Sequence, residues 1–214
     1  MSRALAQYGT ILRHAAAGRP VTVTLVRPGR PDRPVHPGDW CGGLRPGDHG
    51  LLARCTGPTL DVGCGPGRLT AALVADGRAA LGVDTSAEAV RQARRRGAPV
   101  RHGCVFSPLP GEGTWRHVLL ADGNIGIGGD TYRLLSRCRE LLVTGGDILL
   151  ELDPPGTVTW QGVAALRYDG RTGPPFPWAA VSVDDLDAVA HPAGLSTMER
   201  WTQAGRCFAR LGAT

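Results

Sequence analysis

Glycines and carboxylates mark the places where this chain could do chemistry. Leu60-Asp61-Val62 runs into Gly63-Cys64-Gly65-Pro66-Gly67 before a helical pattern that starts at Arg68. Gly63 and Gly65 permit a tight turn and a close approach of a ligand to the backbone. Asp61 puts a carboxylate at the end of a strand, where open α/β sheets bind their ligands. A carboxylate there suits a cationic amino group and repels a pyrophosphate. A second signal follows at Leu81-Gly82-Val83-Asp84-Thr85-Ser86. An acid about twenty positions after such a loop can accept both hydroxyls of a ribose. Asp84 could instead cap the next helix, a task equally open to Ser86.

Further groups lie at later strand ends. Ala121-Asp122-Gly123-Asn124 ends one strand, and Glu151 and Asp153 end its neighbour. Asp122 and Asn124 are the candidates for the reaction zone, although a glycine-rich turn uses the same residue types for backbone reasons. His36 and His49 are possible bases, but a lone loop histidine is more often structural or solvated. Asp130 reads as a helix cap. Trp40, Trp160 and Trp178 could line a pocket or pack a core.

The elements that position these groups are legible from periodicity. Residues 2–17 repeat apolar positions at helical spacing, and Val21–Val26 alternates as a strand. A Pro/Gly-rich loop follows over residues 27–39, and Asp48 can cap a short helix. Strands are expected at Thr59–Val62, Ala79–Val83, Val100–Phe106, Trp115–Ala121 and Asp147–Leu152. Helices are expected at Arg68–Ala75, Ala87–Arg96 and Thr131–Leu142. Apolar strands alternating with helices imply a parallel sheet covered on both faces. Beyond Asp153-Pro154-Pro155-Gly156 come a strand at Val158–Tyr168, a Pro-rich loop over residues 169–178, and a helix at Val183–Ala190. Two last strands, Leu195–Thr202 and Arg206–Leu211, are joined so tightly that they must pair antiparallel.

Composition narrows the class. The chain has 214 residues, of which 42% are hydrophobic, enough for one large α/β domain with a proper core. Its 24 basic residues are all arginine, which excludes Schiff-base chemistry, pyridoxal phosphate and Walker-type phosphate loops. Cys41, Cys55, Cys64, Cys104, Cys138 and Cys207 stand singly, a pattern that points to neither a structural zinc site nor a disulfide framework. No metal site is expected. The net charge of +5 reflects arginine-rich composition, and the cluster Arg91, Arg94, Arg95 and Arg96 falls at a helix end, where cations favour the dipole. The first twenty residues lack the apolar core of a signal peptide, and no apolar run is long enough to span a membrane. A cytoplasmic protein without membrane contact is the expectation.

The glycine spacing separates two cofactors. Gly63, Gly65 and Gly67 give GxGxG, with Arg68 where the dinucleotide fingerprint wants its third glycine, so the loop favours S-adenosylmethionine (SAM) over NAD. With Asp84 beside it, the sequence resembles class I SAM-dependent methyltransferases. DVGCGPG resembles that family's first motif, GVDTSAEAV its second, and Leu142-Val143-Thr144-Gly145-Gly146-Asp147 the turn before its fifth strand. The match covers residues 56–153 well and 183–211 loosely. It implies a doubly wound, Rossmann-like, seven-stranded, mostly parallel sheet with a C-terminal antiparallel strand and an N-terminal helical and strand cover. It implies a single domain: residues 1–50 as N-terminal cover, 56–156 as SAM-binding core, 157–181 as an insertion over the active site, and 183–214 as closing helix and strand pair. It also implies cofactor contacts from Asp61, Gly63, Cys64, Gly65, Gly67, Asp84, Thr85, Cys104, Val105 and Asp122.

Two departures matter. Where the family usually has an aspartate for the adenine amine, this chain has Cys104 or a neighbour, which leaves backbone amides and packing by Val105 and Phe106. The (N/D)PP(Y/F) motif of base-methylating enzymes is missing after the fourth strand, and Asp153-Pro154-Pro155 follows the fifth strand without the aromatic. The expected reaction is methyl transfer to a small-molecule acceptor, with Asp122 and Asn124 near the reacting atoms and nucleic acid disfavoured as a partner. A non-catalytic SAM-binding protein, an NAD-dependent oxidoreductase and an aminopropyl transferase are the alternatives. The acceptor atom and the oligomeric state are not legible.

Overall fold

The computed structural model describes residues 3–214; Ser2, the first residue of the expected N-terminal helix, lies outside them. The helix α1 spans Arg3–Ala16 and buries Gly9, Ile11 and Leu12. β1 (Val23–Val26) and β2 (Arg33–Val35) form a hairpin, followed by the short helices α2 (Pro37–Cys41) and α3 (Asp48–Ala53). The Pro/Gly-rich stretch expected as loop therefore contains a strand and a helix. Pro34 sits on an edge strand and Pro37 at the first helical turn, the two places where a missing N–H does no harm.

The main sheet follows: β3 (Thr59–Val62), α4 (Arg68–Ala75), β4 (Ala80–Asp84), α5 (Ala87–Arg95), β5 (Val100–His102), β6 (Trp115–Leu120), α6 (Thr131–Leu141) and β7 (Leu142–Leu152). After β7 come β8 (Trp160–Tyr168), β9 (Arg171–Thr172), β10 (Phe176–Ala180), α7 (Leu186–Ala190), β11 (Leu195–Gln203) and β12 (Arg206–Ala213). The seven-stranded order is β11-β12-β7-β6-β3-β4-β5. All neighbours run parallel except β12, which is antiparallel to both β7 and β11. This is the expected doubly wound α/β sheet, with its strand order reversing between β3 and β6.

Strand alternation sends neighbouring residues to opposite layers. Val118, Leu120, Ile148 and Leu150 pack with Leu134, Leu135 and Leu186 of α6 and α7. Leu119, Ala121 and Leu149 pack with Leu51, Leu69, Leu73 and Phe208 on the other side. Burying such a side chain contributes roughly 1.5–3 kcal/mol, so these two layers fix where each strand ends.

The second sheet is where the sequence reading needed correction. The residues expected as a Pro-rich loop form β9 and β10, and the sheet order is β10-β8-β1-β2 with β9 on β8. The N-terminal hairpin and the segment after β7 thus share one antiparallel ladder. The third strand is also shorter than expected: β5 stops at His102, and Cys104–Phe106 turn away from it. The expected turn at residues 142–146 is instead continuous with β7, with Gly145 at φ 76° beside a register shift against β6. Asp48 is not a cap. Gly47 holds the N-cap position of α3, and Asp48 is fully buried within the helix.

Candidate active site

The C-terminal ends of β3, β4, β6 and β7 open into a cavity of about 500 Å³, roofed by the second sheet and by α1 and α2. This is the topological switch point, where doubly wound sheets bind ligands. Of the residues predicted to contact the cofactor or the reacting atoms, all except Gly67 line it: Asp61, Gly63, Cys64, Gly65, Asp84, Thr85, Cys104, Val105, Asp122 and Asn124.

The glycine loop is held from two sides. Gly63 and Gly65 lie at φ 73° and 54°, which favour glycine. A β-carbon on Gly63 would meet Asn124 Nδ2 and Ile127 Cδ1, each at 2.8 Å, whereas one on Gly65 would find only the Tyr8 hydroxyl, at 3.6 Å. Gly65 therefore turns its open side to the cavity, a cradle that a side chain would fill. Gly67 serves the helices: its β-carbon would meet Ala93 and Ala98 of the α5 region at 2.8 and 2.9 Å. Asn124 Nδ2 donates to the carbonyls of Val62 and Gly63, both at 2.9 Å, clamping the loop to the end of β6.

Asp84 joins the loop to the next helix. One of its oxygens accepts from Gly65 N at 2.9 Å and the other from Ser86 N at 2.7 Å. Ser86 is the N-cap of α5, accepting from Ala89 N at 3.3 Å. Burial pushes the Asp84 carboxyl upward against these two bonds. Alternation on β3 points Asp61 toward α4, where it accepts from the Thr70 hydroxyl at 2.6 Å. Its carboxyl is pushed up to about 7, first by burial and further by Asp122 and Asp84. A cationic ligand group beside these acids would reverse that shift.

Asp122 lies in a buried ionic network that the sequence did not reveal. Its backbone has φ 53°, and its carboxylate meets Arg68 at 2.6 Å, Arg45 at 3.1 Å and Arg206 at 3.5 Å. Asp48 pairs with Arg68 and, at 2.7 Å, with Arg206. Glu151 takes two bonds from Arg206, each 2.8 Å, and one from Asp122 N at 2.7 Å. Burial raises the Glu151 carboxyl, but the Arg206 bonds outweigh it and hold it below its ordinary value. Arg68 is buried, and its Nε has no partner. The signal was indirect: arginines at positions 45, 68 and 206 are unremarkable among 24, and only folding brings them together.

The covers supply the rest of the wall. Tyr8 of α1 and Trp40 of α2 meet edge to face with centroids 5.9 Å apart, and both line the cavity. Tyr8's phenol is pushed well above 10, first by burial and then by Asp84. Trp178, His36, Asp153 and Glu151 also line it, and Arg33 of β2 bridges to Asp153 at 2.6 Å. Trp160 instead packs with Ile11, Val23 and Leu166 inside the roof, Phe106 lies beneath Arg133, and His49 is exposed outside the cavity. Asp130 caps α6, accepting from Arg133 N at 2.9 Å. Sequence reasoning missed Tyr8, Arg45 and Arg68 as wall residues. Tyr8 reads there as one apolar position of an amphipathic helix.

The groups present fit a cationic adenosine ligand. An acid holds the second strand end with lone pairs to spare, the loop offers an open glycine cradle, and beside them lies Asp61, whose carboxylate has no arginine partner among the described residues.

Comparison with known proteins agrees. A family model described as a methyltransferase domain matches residues 59–146. No curated protein matches the chain by sequence. Among solved structures, a SAM-dependent methyltransferase from Bacteroides fragilis, in complex with S-adenosyl-L-homocysteine, is similar over 100% of this chain and 97% of its own, with TM-score 0.79 and 20% identity. The CcbJ methyltransferase from Streptomyces caelestis is similar over 82% of this chain and 92% of its own, with TM-score 0.65 and 19% identity. The 1,6-didemethyltoxoflavin-N1-methyltransferase of Burkholderia thailandensis is similar over 78% of this chain and 76% of its own, with TM-score 0.58 and 18% identity. Residues 59–146 match a methyltransferase domain, and the chain has the fold of these SAM-dependent methyltransferases.

Proposed function

We propose that this enzyme methylates a small molecule enclosed between the C-terminal edge of the main sheet and the roof. One observation carries the reading. The N-terminal cover and the insertion after β7 form a single ladder, β2-β1-β8-β10, over the cavity. The roof presents Leu25, Val35, Leu166, Phe176 and Trp178 to it, an apolar and aromatic surface suited to a compact ligand. The similar enzyme from Burkholderia thailandensis is described with bound 1,6-didemethyltoxoflavin, and that precedent supports a small acceptor here.

Residues 56–156 act as the cofactor-binding core in this reading, residues 1–50 and 157–181 as its covers, and 183–214 as the closing element. Asp84 holds the ribose; Gly63, Cys64, Gly65 and Thr85 form the cradle, with Gly67 supporting it from behind; Cys104 and Val105 border the adenine. Asp61 and Asp122 set the negative potential that receives the ammonium group. The bound cofactor supplies an activated methyl on a sulfonium. The protein's own contribution is alignment and exclusion of water, the largest share of catalysis for such a displacement. Asn124 contributes by fixing the loop, and Asp122, held by three arginines, contributes as a fixed charge.

Nucleic acid as acceptor is disfavoured by the roof over the cavity and by the pairing of its arginines. The test is methyl incorporation from labelled SAM into a library of aromatic and heteroaromatic small molecules, set beside RNA and DNA at low and moderate salt. Transfer to small molecules alone is expected. Transfer to RNA, with steeply salt-dependent binding, would overturn the reading.

A further inference from the structure

We infer that His36 is the general base of the acceptor reaction, so that the acceptor presents an O–H or N–H nucleophile. The inference rests on the small-molecule reading above and follows from which acid–base groups of the cavity are already engaged. Asp84, which also takes two backbone N–H bonds, and Asp61, which takes the Thr70 hydroxyl, are assigned in that reading to the ribose and the ammonium group of the cofactor. Asp122 and Glu151 are bound by arginines, Asp153 by Arg33, and Asp39 by Arg45 at 3.3 Å. A carboxylate held by a guanidinium is a poor proton acceptor, since protonation must first break the pair. The Tyr8 phenol has no hydrogen bond among the described residues but is pushed well above its ordinary value, and burial likewise pushes the Cys64 thiol up.

His36 differs from all of these, and from the Cys104 thiol, which also lines the cavity but must lose its own proton before it can accept one. His36 lines the cavity, is exposed, and has neither a hydrogen bond nor an ion pair through its ring among the described residues. Local sequence explains its position. Pro37 occupies the first turn of α2, which keeps His36 outside the helix at φ −114° and ψ 83°, and only its backbone carbonyl is used, by Asp39 N at 2.9 Å. The ring therefore stands at the junction of β2 and α2, beside the apolar roof. The charged groups on the elements around it are Arg33 and Asp153, Asp39 and Arg45, paired with one another, and Tyr8 on α1. Imidazole as a group changes charge between about pH 5 and 8 and serves as a base near neutrality. The proton leaves the acceptor heteroatom for a ring nitrogen of neutral His36 as that heteroatom takes the methyl. The electron pair of the broken carbon–sulfur bond stays on sulfur, and the imidazolium then gives its proton to solvent.

The test uses 4-nitrophenol, whose acidity is close to that of imidazole and whose colour reports its ionisation. It is titrated into the wild-type protein and into His36→Gln, each saturated with S-adenosylhomocysteine, whose affinity is measured separately by calorimetry. Wild type is expected to bind the phenol with its absorption shifted toward the phenolate relative to free phenol at the same pH. His36→Gln is expected to bind S-adenosylhomocysteine normally and to lose that shift. A shift retained in His36→Gln, or a wild type that binds the phenol without any shift, overturns the role of His36 and leaves the small-molecule reading standing. A wild type that binds S-adenosylhomocysteine but no phenol counts against both.

Discussion

Leu25 of the N-terminal hairpin stands directly opposite Leu166 of the segment after β7, in an antiparallel ladder that runs from Val23–Tyr168 to Val26–Ala165. Two stretches far apart in sequence are therefore one mechanical unit. Leu25→Ala should destabilise the protein by roughly 2–3 kcal/mol, the usual cost of truncating a buried leucine. Amide hydrogen exchange should then rise together in residues 23–35 and 160–180 while β3, β6 and β7 stay protected. Faster exchange in the N-terminal segment alone would show that the two covers are not coupled.

Asp61→Asn separates stability from ligand affinity. Because the folded carboxyl is raised from 3.8 to about 7, its favourable contribution is complete below about pH 4 and is lost as pH rises through about 7. Asparagine keeps the acceptor for Thr70 and removes the buried charge. The ligand-free variant should match wild type near pH 4 and exceed it at pH 8 by about 1–4 kcal/mol, while binding S-adenosylhomocysteine more weakly. Parallel pH series of denaturant unfolding check this, and a variant less stable than wild type at pH 8 would contradict it.

Asp122→Ala should do more than slow turnover. It leaves the buried Arg68 with Asp48 as its one ionic partner among the described residues and should cost about 2–4 kcal/mol of stability. Asn124→Ala removes two bonds to the glycine loop and should cost about 1–2 kcal/mol, with weakened cofactor binding. Melting curves of both, with and without S-adenosylhomocysteine, distinguish network from loop. An Asp122→Ala variant as stable as wild type would show that the arginines find other partners.

The glycine loop was readable because its shape is written in local backbone geometry: glycines at positive φ, an acid at a strand end, a serine cap. Helix α4 and strand β3 fall where periodicity puts them, since both are bounded by that loop. The roof was not readable. Pro177 in β10 and the short β9 carry loop-like composition, and their strand state comes from pairing with β8. The proposed reaction zone was half readable. Asp122 and Asn124 are where a strand end had to place them, but the partners of Asp122 come from the segment before α3, from α4 and from β12, and no spacing links positions 45, 68 and 206.

The opposite end of the main sheet offers a control. His117 and Asp147 are buried together, with ring Nδ1 2.7 Å from the carboxylate, which also receives Arg210 at 2.7 Å. Asp147→Ala strands both partners and should cost about 3–5 kcal/mol. Affinity for S-adenosylhomocysteine should be unchanged in the protein that remains folded, because the pair is remote from the cavity wall. A large loss of affinity without loss of stability would require a different account of that end.

The central claim, that the cofactor lies across the glycine loop with its ribose on Asp84, is tested most directly by calorimetric titration of S-adenosylhomocysteine into wild type, Asp84→Asn and Gly65→Val, each confirmed folded by circular dichroism. Wild type should bind one equivalent, Asp84→Asn should bind more weakly by about 1.5–3 kcal/mol through loss of charge-assisted hydrogen bonds, and Gly65→Val should not bind measurably. Unchanged affinity in a folded Asp84→Asn and a folded Gly65→Val would contradict it.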